Sequence, residues 1–407
     1  MGYIKRDIEK LITEASQSYS AVLVTGPRQT GKTTTLMHLM DERRRYVSLD
    51  DLEARRTAQN DPELFLSLYP APVLIDEVQY APQLFSRIKI AVDSGAKPGA
   101  FWMAGSQAFR LMDLVQESLA GRVAILSMPS LSQHEIYGRG EATPFEVSIE
   151  KLRERALRGA KADITNIYER IFNGSMPGSI SGKYPNRSMF YSSYIQSYIQ
   201  RDIGDAADRI DSLRFADFVR AAACRVGQLL NIHDIARDVG VTDDTSRRWL
   251  QLMEKSGVVF FLRPYSNNLL KRTIKTPKMY FFDTGLVAYL TKYSSPTILM
   301  NGAINGAILE NYVVAEMMKS YVNSGRDFLM HYYRDKDSKE IDMVIESDGE
   351  LHPFEIKRAA SPGTELANAF KVLDAGSIPR GIGAILCMKD EVSAIDRSTL
   401  IVPIWTI

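Results

Sequence analysis

Cysteine is nearly absent from this 407-residue chain: Cys224 and Cys387 are the only two, and they lie far apart. No further Cys or His stands near either at metal-ligand spacing. That excludes a disulfide framework and a structural zinc site and fits a reducing compartment. Histidine is scarce too, with 5 residues, and His38, His134 and His331 show no ligand spacing. An excess of one charge sign is missing, since 50 Lys and Arg stand against 49 Asp and Glu. A wholesale basic coat for nucleic acid and an acidic solvating chain are both excluded, while a local basic face stays open. No apolar run approaches the roughly 18 residues that a membrane span requires. The start, Met1-Gly2-Tyr3-Ile4-Lys5-Arg6, opens a charged amphipathic stretch and not a signal peptide. These absences predict a soluble, cytoplasmic protein with no membrane partner.

What is present is ordinary globular material, 45% hydrophobic and 24% charged, which rules out disorder as the main state. The length predicts two or three domains. Residues 4–16 place Ile4, Ile8, Leu11 and Ile12 on one helical stripe. Short apolar runs at Tyr19–Thr25, Arg45–Leu49, Pro72–Ile75, Ala100–Ala104 and Val123–Leu126 alternate with helical segments such as Thr33–Met40. That alternation predicts a parallel sheet covered on both faces. From about 141 to 205 the pattern is helical and polar, as in a lid or connector. Residues 209–264 read as three helices, a turn at Gly240 and a β-like run Gly257–Leu262. A helix Gly306–Lys319 then opens a segment with strands around 328–333, 341–346, 351–356 and 383–387.

Gly26-Pro27-Arg28-Gln29-Thr30-Gly31-Lys32-Thr33 fits G-x-x-x-x-G-K-[ST] between a predicted strand and a predicted helix. The glycines let successive backbone N–H groups turn toward phosphate oxygens, and the helix adds its positive N-terminus. Lys32 is expected to reach the β- and γ-phosphates of ATP, and the Thr33 hydroxyl to ligate Mg²⁺; Thr34 completes the expected nucleotide-binding stretch. The apolar strand Val73-Leu74-Ile75 delivers Asp76 and Glu77 to the sheet edge where ligands of open α/β sheets bind. Asp76 is expected to hold Mg²⁺, and Glu77 to polarise the attacking water. Ser106 or Gln107, after the fourth strand, is placed to sense the γ-phosphate or simply to turn the chain, and the sequence does not choose. Arg122 reads equally as an arginine finger, in cis or in trans, and as a surface arginine.

With these motifs the chain resembles the bacterial and archaeal AAA-type P-loop ATPases that carry a C-terminal domain of unknown function. The resemblance rests on residues 26–33, 73–77, Gly105-Ser106-Gln107, Leu119–Val123 and Tyr280-Phe281-Phe282-Asp283-Thr284-Gly285-Leu286. Arginines of the usual AAA lid are not identifiable in this sequence.

Residues 231–253 read helix, glycine turn, helix, with Ile235, Val239, Trp249, Leu250 and Met253 as a core stripe. This is similar to a winged helix, with Thr245, Arg247 and Arg248 facing outward. Residues 209–280 hold 13 Lys and Arg against 7 Asp and Glu, a local excess of +6. Such a module either binds DNA or packs between its neighbours.

In the last segment Glu310 lies on the opening helix, Asp342 follows Lys339-Glu340-Ile341, and Glu355 and Lys357 share one strand face. A carboxylate triplet can hold Mg²⁺ through oxygen, and a nearby lysine can orient a water. The pattern resembles the restriction-endonuclease-like nuclease fold. That resemblance makes Asp342 and Glu355 metal ligands, Glu310 an accessory ligand and Lys357 the water-orienting base.

The expected architecture is therefore α/β throughout. A P-loop NTPase parallel sheet with a helical lid spans 1–205, a winged-helix module 206–295 and a restriction-endonuclease-like domain 296–407. The expected activity is Mg²⁺-dependent ATP hydrolysis coupled to a DNA-binding, nuclease-like region. The alternative is a regulatory ATPase whose inactive C-terminal domain binds nucleic acid or protein. A homo-oligomer is compatible with either. A nucleotide-sensing adaptor that barely hydrolyses ATP is disfavoured, because a pure binder has no need of Glu77.

Overall fold

The computed structural model describes residues 2–106, 111, 119–138, 144–159, 161–184, 186–198, 211–266, 276–326, 329–335 and 339–407. The first sheet holds β1 (Ala21–Thr25), β2 (Arg45–Ser48), β3 (Val73–Asp76), β4 (Phe101–Gly105) and β5 (Val123–Ser127), all parallel, in the order β2-β3-β4-β1-β5. The five strands match the predicted runs, and the three central ones, β1, β3 and β4, are buried on both faces as a covered parallel sheet requires. Ala21, Leu23, Val73, Ile75 and Met103 pack against α3 (Leu52–Asn60), α4 (Pro62–Leu68) and α5 (Gln83–Asp93). Val22, Val24, Leu74 and Ala104 pack on the other side against α1 (Glu9–Ser18) and α2 (Lys32–Leu39).

The first helix corrects the expectation of 4–16: it starts at Glu9, and Ile8 and Ile12 carry its buried stripe. Residues 2–6 lie outside the helix, and Arg6 is thereby directed toward the loop after β1.

A short α6 (Gln133–Tyr137) follows β5, and four helices come next. They are α7 (Ile149–Arg158), α8 (Ile164–Asn173), α9 (Pro177–Ile180) and α10 (Arg187–Tyr198). The middle segment contains α11 (Ser212–Ala223), α12 (Ile232–Val239) and α13 (Asp243–Lys255), then the hairpin β6 (Val259–Pro264) and β7 (Lys278–Phe281). Asn231 and Thr242 cap α12 and α13 with their side chains, and Gly240 ends α12 in the left-handed region. Phe215, Phe218 and Trp249 meet edge-to-face at the centre of this unit. Arg247 and Arg248 are exposed on α13. The predicted charges Arg209, Lys271, Arg272 and Lys275 lie outside the described residues.

After α14 (Thr284–Leu290) and α15 (Pro296–Met300), the long α16 (Asn305–Ser324) leads into β8 (Leu329–Arg334), β9 (Glu340–Ser347) and β10 (Glu350–Ile356). Then come α17 (Ala367–Phe370), β11 (Gly383–Cys387), β12 (Ser393–Asp396) and β13 (Thr399–Pro403). The second sheet is mixed, eight-stranded, and ordered β12-β13-β11-β10-β9-β8-β6-β7. The β6–β7 hairpin of the middle segment is thus one edge of the C-terminal sheet, joined by the parallel pairing of β6 with β8. One continuous core runs from Tyr168 and Tyr191 through Trp249 and Tyr280 to Tyr312 and Phe354. The helices α7–α10, the middle segment and the last segment are therefore packed around shared apolar side chains.

Candidate functional site

At the C-terminal edge of the first sheet, the register sets Thr25, Gly105 and Ser127 level with each other and Ser48 level with Asp76. The loop 26–31 leaves β1 there. Gly26 has φ 144° and Gly31 φ 93°, and a Cβ on Gly26 would collide with the Met128 carbonyl. Both positions therefore require glycine. Gly31 is the N-cap of α2 and offers no side chain, so the helix's first N–H groups stay directed into the loop. Thr30 Oγ1 donates to the Pro27 carbonyl at 2.9 Å and fixes the turn. Arg28 is half-buried, while Gln29, at φ 61°, and Thr34 are exposed.

Lys32 is buried, and its Nζ donates to the carbonyls of Gly26 (3.0 Å) and Pro27 (2.8 Å). Its ammonium is thus folded over the cavity of the loop. Thr33 Oγ1 stands 3.0 and 2.9 Å from the two Asp76 carboxylate oxygens. Tyr46 OH donates to the same carboxylate at 3.3 Å. Burial, and then the neighbouring Glu77 charge, push the Asp76 pKa up. Two adjacent acids with a hydroxyl between loop and strand form an oxygen-rich set deficient in positive charge, which fits a hard divalent cation.

Glu77 sits at φ 53°, in the left-handed region, where a non-glycine residue is uncommon. Gln79 Nε2 donates to Glu77 Oε2, and Ser106 Oγ reaches the same oxygen at 3.4 Å. The strand end, a polar turn and β4 thus aim the carboxylate together. Gln107 lies outside the described residues. Arg122 stands at the start of β5, the sheet edge opposite the phosphate loop, paired with Asp93. The structure does not bring Arg122 to the phosphate loop of its own chain.

Arg6 is the residue of this site that sequence reasoning missed. It is 3% exposed and donates to Thr30 O (2.6 Å), Pro129 O (2.8 Å) and Glu135 Oε1 (2.9 Å). One guanidinium therefore ties the phosphate loop to the segment after β5. No local signal marked it, since Arg6 stands between the charged Lys5 and Asp7, off the apolar stripe.

In the second sheet Asp342 on β9 and Glu355 on β10 converge with Lys357, as expected. Lys357 Nζ lies 2.6 Å from Glu355 Oε2 and 3.6 Å from Asp342 Oδ2, which also accepts from the Ile356 N–H at 2.8 Å. Burial first, and Asp342 second, push Glu355 up to about 8. Burial works to lower the Lys357 pKa, and the two carboxylates outweigh it.

Glu310 departs from expectation. The Glu310 carboxylate accepts from Lys278 Nζ (2.9 Å) and Tyr280 OH (2.6 Å), and Lys278 also reaches Glu340 Oε1 at 2.6 Å. Among the described residues no group of three or more His, Cys, Asp or Glu side chains is arranged to hold a metal ion. Of the three expected carboxylates, Asp342 and Glu355 share Lys357, while Glu310 is held by Lys278 and Tyr280 and still feels the Asp342 charge. Asp342 and Glu355 offer oxygen ligands of the kind a hard divalent ion takes, with the Lys357 ammonium between them. Lys278 and Tyr280 were missed, although their spacing of two on a strand places them on one face.

Residues 18–137 match the family described as AAA domain. The chain carries an AAA-type P-loop ATPase domain. Residues 164–297 and 305–407 match two domains of unknown function, DUF8612 and DUF4143. The uncharacterized proteins Rv2008c of Mycobacterium tuberculosis and Mb2031c of Mycobacterium bovis are each 29% identical over 363 residues, 88% of this chain and 75% of theirs. Among solved structures, the Walker-type ATPase PABY2304 of Pyrococcus abyssi is 15% identical with a TM-score of 0.43, covering 71% of this chain and 96% of its own. A Thermotoga maritima RuvB variant is 15% identical with a TM-score of 0.31, covering 62% of this chain and 88% of its own. Among the described residues no helix is long and apolar enough to cross a membrane.

Proposed function

We propose that this protein is a Mg²⁺-dependent ATPase whose ATPase domain acts on DNA-directed machinery in the rest of the chain. The observation that carries the ATPase reading is the meeting of Thr33 and Asp76 beside a Glu77 held by Gln79 and Ser106. Phosphate oxygens would replace the Gly26 and Pro27 carbonyls as acceptors for Lys32, which needs only to swing within the loop. Thr33 and Asp76 would hold Mg²⁺, whose charge supplies electrostatic stabilisation of the phosphoryl group. Glu77 is the acceptor placed to take hydrogen bonding from an attacking water, and its two hydrogen-bond donors fix its direction.

Lys32→Ala should abolish tight ATP binding, whereas Glu77→Gln should keep binding and lose turnover. Wild-type turnover by Glu77→Gln would remove Glu77 from this role.

For the C-terminal region, the convergence of Asp342, Glu355 and Lys357 supports metal-dependent cleavage of a phosphodiester, with the ion on the two carboxylates and Lys357 orienting water. Arg247 and Arg248 on an exposed helix support DNA as the polymer. A second reading has its own observation: every carboxylate of this cluster already pairs with an ammonium. A domain built so could bind nucleic acid or protein without cutting. Incubating supercoiled plasmid with the full chain and Mg²⁺ or Mn²⁺, with and without ATP, separates the two. Nicking that disappears in Lys357→Ala supports cleavage, and no nicking under any condition supports the binding domain.

A further inference from the structure

Lys278 and Tyr280 enter the C-terminal site from β7, outside the 305–407 segment that supplies its carboxylates. Four acids gather there: Glu310 on α16, Glu340 and Asp342 on β9, and Glu355 on β10. By their ammonium partners they divide into two pairs, although Glu310 and Asp342 stay close enough for their charges to repel. Lys278 bridges Glu310 and Glu340 at 2.9 and 2.6 Å, and Lys357 bridges Asp342 and Glu355 at 3.6 and 2.6 Å. The two lysines differ in access, for the Lys278 side chain is 4% exposed and that of Lys357 36%. Lys357 can swing aside when a cation arrives. Lys278 cannot, since Tyr280 OH closes on the same Glu310 oxygen from the side.

A divalent ion bridging Glu310 and Glu340 would need oxygen distances of about 2.0–2.6 Å, in the volume that the Lys278 ammonium fills. Charge leads to the same result. Lys278, Lys357 and Arg334, which reaches Glu340 at 3.7 Å, leave four carboxylates one positive charge short. One divalent ion turns that single negative charge into a single positive one, and a second would leave a threefold positive excess in a partly buried site.

We infer that Lys278 is a built-in second cation of this site, which limits it to a single divalent ion on Asp342 and Glu355. The inference rests on the reading of that pair as an ion site. It also makes the site a joint product of the 164–297 and 305–407 segments, held together by the pairing of β6 with β8. Lys278 is a positioning residue: it sets how many ions the carboxylates hold and touches no reacting atom.

The test counts Mn²⁺ bound per full-length chain without nucleotide, by the electron paramagnetic resonance signal of free Mn²⁺. All proteins carry Asp76→Ala, so that the phosphate loop contributes no ion. With Lys278 intact the count should be one, with Lys278→Met two, and with Lys278→Arg one. A count of two with Lys278 intact, or no rise in Lys278→Met, overturns the inference. If the protein with Lys278 binds no ion and Lys278→Met binds one, Lys278 is the blocking cation and the Asp342–Glu355 reading fails instead. No binding by either protein overturns the inference. Lys278→Met leaves two facing carboxylates unneutralised and could unfold without metal, so Lys278→Met/Glu310→Gln provides a second variant. It should fold and bind one ion, and a count of two would contradict the placement of the second ion on Glu310.

Discussion

Gly257, in the turn between α13 and β6, packs directly on Pro27 of the phosphate loop: a Cβ there would lie 2.8 Å from Pro27 Cγ. The same turn begins the hairpin that ends at Lys278, paired with Leu262. A two-stranded segment therefore runs from the nucleotide loop to the C-terminal carboxylates.

Gly257→Ala should weaken ATP binding beyond its effect on stability. Gly257 has φ +71°, so alanine strains the backbone by about 1 kcal/mol in addition to pressing on Pro27. Gly240 has φ +72° with nothing within 4 Å of an added Cβ, which makes Gly240→Ala the matched control. Both variants should lose similar stability in thermal unfolding, but only Gly257→Ala should raise the KM for ATP. Equal KM values would mean that the packing of Gly257 on Pro27 has no influence on the loop.

Arg6→Ala should damage stability and nucleotide binding by separable routes. Removing the guanidinium leaves Glu135 buried without its partner, a cost of about 3–5 kcal/mol. It also releases the Thr30 carbonyl, and with it the phosphate loop. Arg6→Ala/Glu135→Gln should regain much of the melting temperature, measured by calorimetry, without regaining ATP affinity. Recovery of both together would reduce Arg6 to a purely structural ion pair.

The first sheet and its loop were legible in the sequence because its central strands β1, β3 and β4 are short, buried throughout and followed by a polar turn. Thr33, Asp76 and Glu77 could be brought to one edge because strand ends of a parallel sheet converge there, while the choice between Ser106 and Gln107 stayed open. Arg6 and Lys278 were not legible, since their partners lie 129 and 32 residues away and no local period links them. The join of β6 with β8 was hidden for a similar reason. A two-residue parallel pairing, Arg263 with His331 and Pro264 with Tyr332, leaves no mark on either strand's pattern. Strands β12 and β13 were missed as well. β12 is short and half-exposed, and β13 is a continuous apolar run that periodicity alone does not assign.

Lys319→Met should be more destabilising than the double substitution Glu316→Gln/Lys319→Met. On α16, Lys319 Nζ is 2.8 Å from Glu316 and donates to Leu131 O at 2.9 Å, while Glu316 accepts from the Gln133 N–H at 2.7 Å. This buried pair fastens α16 to the segment that follows β5. Losing the lysine alone strands a carboxylate, at about 3–5 kcal/mol, and the second change removes that charge. Urea unfolding of the wild type, the two single variants and the double variant gives the coupling directly, and additive effects would show that the pair contributes nothing.

Arg247 and Arg248 provide the last prediction, on DNA. Both are exposed on α13, and the helix is anchored from behind by Trp249, Leu250 and Met253, so the arginines can meet a phosphate backbone without disturbing the core. Removing one arginine from a phosphate should flatten the slope of log affinity against log salt by about 0.9, so the double alanine variant should flatten it by about 1.8. Arg220 supplies the control, because Asp217 already neutralises it at 2.7 Å on α11. Arg220→Ala should leave the slope within experimental error of the wild-type value. Fluorescence anisotropy with a labelled duplex, across 50–300 mM salt (on the order of the range where counterion release dominates), measures all three. An unchanged slope in the double variant would move any DNA binding off this helix, and no binding at the lowest salt would leave α11–α13 as a packing module between the ATPase domain and the second sheet.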